Sequence, residues 1–180
     1  MEPVTIGSAS VDDAAELASV AAQAFPLACP PWVPLDAITD FVENHLSADN
    51  FRSWITDPRS QVLAARAATR IVGYALLIRT DSEYPTAELS KFYLLSEFHG
   101  GEVAEALMAA VVSTSAQWAA DRIRLGVNQH NVRAQHFYAK QGFIVEGTRT
   151  FTIGGQLEDD FVMARPLNSQ HRRQNPPPAF

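Results

Sequence analysis

The stretch from Glu88 to Met108, ELSKFYLLSEFHGGEVAEALM, constrains the fold more than any other, because the hydrophobic period changes inside it. From Leu89 to Leu95 every residue but Ser90 and Lys91 is apolar or aromatic, the pattern of a central strand with both faces largely covered. From Val103 onward the spacing is helical: Val103, Leu107, Ala110, Val111 and Trp118 recur on one side of a helix of about four turns. Ala104, Ala106 and Ala109 are narrow enough to let that helix lie close on a sheet. Gly100 and Gly101 stand between the two periods. A helix start leaves its first N–H groups without partners and carries partial positive charge, so glycines ahead of it let phosphate oxygens approach. A glycine pair also simply makes a tight turn.

A second stretch narrows these alternatives. Residues 125–143, LGVNQHNVRAQHFYAKQGF, read as a short strand, a loop with Asn131 at a helix entrance, a helix carrying Ala134, Phe137 and Tyr138, and a stop at Gly142. The Asn131 side-chain oxygen suits an N-cap, and Gly142 suits a left-handed C-cap. Together the two stretches resemble the GCN5-related N-acetyltransferases, which move an acetyl group from acetyl-CoA to an amine. The second resembles that family's Asn-x-x-Ala-x-x-x-Tyr-x-Lys-x-Gly-Phe pattern at Asn131, Ala134, Tyr138, Lys140, Gly142 and Phe143. The first resembles its Leu-Tyr-Val strand followed by Gln/Arg-x-x-Gly-x-Gly/Ala. The resemblance spans most of residues 3 to 167 and is specific from Glu88 to Phe143.

The resemblance implies an α/β fold, a central and mostly antiparallel mixed sheet flanked by helices, with acetyl-CoA as co-substrate. It implies that the backbone of Phe92, Tyr93 and Leu94 meets the pantetheine arm and polarises the thioester carbonyl. His99, Gly100, Gly101, Glu102, Val103 and Ala104 then form the phosphate loop, Asn131 contacts the cofactor, and Tyr138 protonates the departing sulfur. The chain departs from the pattern at two places. His99 replaces the usual Arg or Gln, and Glu102 replaces the middle glycine. A carboxylate in the first turn agrees with the helix dipole, but beside a pyrophosphate it adds like-charge repulsion. Either Glu102 points to solvent or a basic residue neutralises it. A phosphate loop weakened at Glu102 would leave the alternative of a non-catalytic acyl-CoA-binding or regulatory module with the same fold.

With 180 residues, 47% of them hydrophobic and 19% charged, the chain suits one globular domain over residues 1–168, followed by a polar, proline-rich tail over 169–180. A formal net charge of -6 argues against a generic nucleic-acid or anionic-membrane binder. The single cysteine, Cys29, has no partner for an internal disulfide, and no run of 18 apolar residues is present. A soluble, cytoplasmic protein is expected, with a homodimer as the default assembly. Cys29 in Ala-Cys-Pro-Pro reads as a small buried or loop residue, not a nucleophile. His130 and His136 are six residues apart, which does not put them on one helical face, so no metal is expected.

The remaining chain supplies the frame. Val4 to Ser8 reads as a strand, a helix runs from Ser10 to a stop at Pro26, and Pro30 to Pro34 is an extended connector. Helices follow over 36–46 and 50–55, and Trp32, Phe41, Phe51 and Trp54 are candidates for the acceptor wall that the resembled family builds here. Gln61 to Arg66 and Thr69 to Arg79 form a hairpin, and Asp81 to Thr86 is a loop. Ile123 to Val127 is a strand, while Ile144 to Ile153 and Asp160 to Ala164 make a closing hairpin around Gly154-Gly155. The best-placed base is Glu88, at the entry of the site strand, with Glu83 and Asp159 behind it and ordered water as the alternative. The acceptor, a small-molecule or peptide amine, is not identified by these residues.

Overall fold

In a computed structural model, which describes residues 3–81 and 83–167, alternating apolar segments assemble into one seven-stranded sheet. Its strands are β1 (Val4–Ser8), β2 (Ser60–Ala67), β3 (Arg70–Thr80), β4 (Thr86–Leu94), β5 (Arg122–Asn128), β6 (Ile144–Ile153) and β7 (Gln156–Pro166). The order is β1-β2-β3-β4-β5-β7-β6, antiparallel at every pairing but β4 with β5. The helices are α1 (Ala14–Ala28), α2 (Leu35–His45), α3 (Ala48–Thr56), α4 (Glu102–Gln117) and α5 (Val132–Lys140). This is the mixed α/β architecture expected from the sequence. Among the described residues no helix is long and apolar enough to cross a membrane. The segment read as a tail, residues 169–180, lies outside the described residues.

Helix α4 buries Val103, Ala104, Leu107, Met108, Val111 and Ser115, a single stripe at helical spacing, against β1 to β5. Helices α1 and α3 pack on each other and reach β2, β3 and β4. The core between these layers includes Leu17, Val20, Phe51, Tyr74, Leu76, Leu77 and Leu107.

Several boundaries move from their expected places. Helix α1 does not stop at Pro26 but runs on to Ala28, and the Cys29 N–H donates to the Pro26 carbonyl at 3.2 Å. The proline forfeits one bond near the helix end, while Phe25 is buried and stacks on Phe41 with ring centroids 4.7 Å apart. Strand β4 begins at Thr86, inside the expected loop, because Thr86, Ala87 and Glu88 pair with Arg122, Ile123 and Arg124. Helix α3 starts at Ala48, where Ser47 and Asn50 form a reciprocal capping box. Strand β7 begins at Gln156, immediately after Gly154 and Gly155, whose φ values of 57° and 74° make the tight turn.

Candidate active site

Parallel pairing between β4 and β5 ends at Glu88 and Arg124. Beyond it the strands part, and among the described residues the edge of β4 from Leu89 to Leu94 that faces β5 has no strand partner. Strand β4 is also bulged: Leu77 opposes Leu89 and Leu76 opposes Lys91, which leaves Ser90 as the extra residue. A cavity of about 510 Å³ fills the opening. Successive side chains of β4 point to its two sides. Phe92 meets Phe137 and Tyr138 of α5 at 5.5 and 6.1 Å between ring centroids. Tyr93 turns the other way, to Phe25 of α1 at 6.1 Å and Tyr74 of β3 at 5.8 Å, and Lys91 lies over the Trp54 ring at 5.1 Å. The cavity therefore has an α4–α5 side and an α1–α2 side.

On the α4–α5 side, Asn131 caps α5 as its sequence position suggests, accepting the Ala134 N–H at 3.2 Å. Gly100 has φ 67°, and among the described residues no atom beyond its chain neighbours lies within 4 Å of where a Cβ would stand there. His99 donates from Nε2 to the Leu94 carbonyl at 2.9 Å, which leaves Nδ1 to accept from the Arg133 guanidinium. Burial, with Arg133 adding to it, holds the His99 pKa below the usual imidazole value, in keeping with that neutral tautomer. Of the residues expected to meet the cofactor, Phe92, Tyr93, Leu94, His99, Gly100, Ala104, Asn131 and Tyr138 line the cavity. Gly101, Glu102 and Val103 do not: Gly101 is the helix N-cap, Val103 turns into the core, and the Glu102 side chain is exposed. Of the two readings open for Glu102, the outward one describes the molecule. Glu105, one turn on, lines the cavity instead, and Arg133, His136 and Lys140 supply positive or protonatable groups there.

Tyr138 sits where the sides meet. It is buried, packed edge-on against Phe92, Phe137 and Phe143, and among the described residues its hydroxyl has no hydrogen-bond partner. Burial, reinforced by nearby Tyr93 and opposed by Arg133, pushes its pKa well above the ordinary phenol value, so it keeps its proton at neutral pH.

The α1–α2 side is lined by Phe25, Phe41 and Phe151, and by the carboxylates of Glu158 and Asp160. Phe41 stands at ring-centroid distances of 4.7 Å from Phe25 and 5.6 Å from Phe151. Glu158 and Asp160 are both buried, on the same face of β7. Glu158 accepts from the Trp32 indole N–H at 2.8 Å. Arg149 of β6 crosses β7 and β5 to place Nε 3.7 Å from Asp160 and to donate from Nη1 to Glu88 at 3.2 Å. This crossing requires Gly126, because a Cβ there would fall on the Arg149 guanidinium. Glu88, expected as the base, is thus turned to Arg149 and does not line the cavity. Glu83 and Asp159 are exposed. Burial raises the Asp160 pKa above the usual carboxylate value, with Arg149 opposing and Asp159 and Glu158 adding to the rise. Cys29 lines the same side, and burial pushes its thiol up to about 11, far from a thiolate nucleophile.

Of the aromatic candidates for this wall, Phe41 lines the cavity. Phe51 lies fully buried beneath it against Tyr74, Trp54 carries Lys91, and Trp32 acts through Glu158. Phe25, Phe151, Arg149, Glu158 and Asp160 escaped the sequence reading. The available signal was two acids at period 2, Glu158 and Asp160, on a strand whose apolar residues at Val162 and Ala164 share their parity.

The sequence model of the acetyltransferase (GNAT) family matches residues 22–143. An uncharacterized N-acetyltransferase of Mycobacterium tuberculosis is 55% identical over 155 residues, covering 86% of this chain and 98% of the relative. An uncharacterized N-acetyltransferase of Lactobacillus delbrueckii subsp. lactis is 24% identical over 132 residues, 71% of this chain and 76% of the relative. The PaiA N-acetyltransferase of Thermoplasma acidophilum, solved in complex with coenzyme A, superposes with a TM-score of 0.79 at 22% identity, covering 92% of this chain and 99% of its own. The ribosomal-protein-S18-alanine N-acetyltransferase of Escherichia coli superposes with a TM-score of 0.68 at 18% identity, covering 91% and 94% of the two chains.

Proposed function

The chain belongs to the GNAT acetyltransferase family, and we propose that it acetylates a primary amine of a small molecule or peptide by direct attack, with Tyr138 as the general acid. That it is an acetyltransferase using acetyl-CoA follows from the family; the acceptor and the acid are our reading. The residues present suit the co-substrate. The unpartnered edge of β4 leaves backbone groups for an amide-bearing arm, and the open ground around Gly100 admits phosphate oxygens to the start of α4. Arg133 and Lys140 add positive charge at the mouth. Acetyl-CoA supplies an activated acetyl carbonyl and a thiolate leaving group.

The chain's part is to orient, to exclude water and to manage protons. The observation that carries the reading is the place of Tyr138, which lines the cavity beside the parting strands with its hydroxyl unpartnered among the described residues. Held there, it gives its proton to the departing sulfur and recovers one from the amine nitrogen as that nitrogen becomes an amide. Glu88 enters this scheme by holding Arg149 and not by meeting the amine. The same reading makes the enzyme cytoplasmic, by default a homodimer, and without a nucleic-acid or membrane partner. Tyr138→Phe is expected to lower kcat by about 100- to 10,000-fold while the acetyl-CoA dissociation constant stays nearly constant. Release of CoA thiol by the variant at the wild-type rate would remove Tyr138 from this role.

A further inference from the structure

Resting on that reading, we propose that the acceptor is a monoamine with an aromatic or short aliphatic body, its nitrogen seated at the Asp160 and Glu158 carboxylates and its body against Phe25, Phe41 and Phe151. The polar end is built for a single cation. Glu158 and Asp160 line it, and Arg149 is the cation set against them, with Glu88 just behind. Arg149 holds Glu88 and one oxygen of Asp160, which leaves Glu158 and the other Asp160 oxygen as one seat for one ammonium group. A polyamine or aminoglycoside would bring further ammonium groups toward Arg149, where like charges in a partly buried site repel.

The aromatic residues decide the rest of the acceptor. Three phenyl rings from α1, α2 and β6 converge within stacking distance, and none of them carries a hydrogen-bonding group for sugar hydroxyls or peptide amides. The whole cavity is about 510 Å³ and serves both sides, so the space beside these rings suits one ring or a short alkyl chain. Asp160 also has a chemical task there. An amine reaches neutral solution as ammonium, and transfer of one N–H proton to a carboxylate oxygen of Asp160 frees the nitrogen lone pair. Arg149, laid over Gly126 and tied to Glu88, fixes the carboxylate's place.

The test compares phenethylamine, ethylamine, spermidine and kanamycin as acceptors, reading CoA thiol release, and follows phenethylamine binding to the CoA-loaded enzyme by calorimetry. Phenethylamine is expected to give the highest kcat/KM. Asp160→Asn should lower that value by about 10- to 100-fold. Phe41→Ala should lower kcat/KM for phenethylamine at least tenfold, and by a clearly larger factor than for ethylamine, whose shorter body covers less of the ring, a split that a merely weakened fold does not produce. Spermidine or kanamycin matching or exceeding phenethylamine would overturn the proposal, as would phenethylamine binding that is absent or is indifferent to Phe41→Ala. Failure of the acetyl-transfer reading looks different: phenethylamine would bind and weaken in both variants, yet no CoA thiol would appear.

Discussion

The two sides of the cavity are made in different ways. The α4–α5 side comes from two short, nearly continuous segments, the turn from Leu94 into α4 and the turn from Asn128 into α5. Most of its polar contacts are local: Asn131 caps its own helix three residues on, and His99 bonds a carbonyl five residues back, with Arg133 joining the two segments through His99. The α1–α2 side is gathered from distant places. Trp32 reaches Glu158 across 126 residues, and Arg149 reaches Glu88 across 61. A side fixed by local geometry is suited to a constant partner, the phosphates and amides of CoA. A side assembled from separate strands and helices changes with any one of them, which suits the acceptor, the partner that differs between enzymes of one fold.

The strongest way to break this contrast is to disturb the distant assembly at Gly126, where a side chain would occupy the place of the Arg149 guanidinium. The obstructing atoms are the far end of a flexible side chain, so Gly126→Val is expected to swing Arg149 aside and not to unfold the sheet. Kcat/KM for the amine should fall by about 10- to 100-fold as the charged contacts to Glu88 and Asp160 are lost. Acetyl-CoA affinity, measured by calorimetry on the same protein, should hold. A matching loss of acetyl-CoA binding would show that the two sides are not separable.

The same contrast explains what could be read in the chain beforehand. The strand-to-helix change at Gly100-Gly101, the Asn131 cap and the Gly142 stop are local signals, each carried by the backbone needs of a few neighbouring residues. They placed α4, α5 and most of the residues that line the α4–α5 side of the cavity. Glu88 was legible as an acid near the site, but its direction depends on Arg149, and the reach of Arg149 depends on an absent side chain at Gly126. No period or cap records such a three-strand contact. Phe25 was missed for a related reason: it was legible as a helix residue, but its stacking on Phe41 joins two separate helices, a contact that no local signal records.

A smaller effect is expected where the geometry is local. Asn131→Ala removes one cap bond and should cost about 1 kcal/mol of stability, roughly 2 to 4 °C in Tm for a domain of this size. Aspartate at the same place should restore most of it. Scanning calorimetry of the two variants checks this. A loss several times larger would mean that the α5 entrance, too, is held by long-range contacts.

The smallest effect is expected at the residue that departs most visibly from the resembled pattern. The Glu102 side chain is exposed and does not line the cavity, and its charge lies at the helix end that favours an anion. Screening by salt acts fully on such a group, because the Debye length at physiological ionic strength is only about 8 Å. Glu102→Gln, which removes the charge and keeps the shape, should therefore change the acetyl-CoA dissociation constant by less than about twofold at physiological salt, with at most a slight tightening at low salt. Tenfold tighter binding would mean that the pyrophosphate sits against Glu102 itself. The local side would then have been built around a penalty, and the division between a constant side and a variable one would run through α4 instead of between the helices.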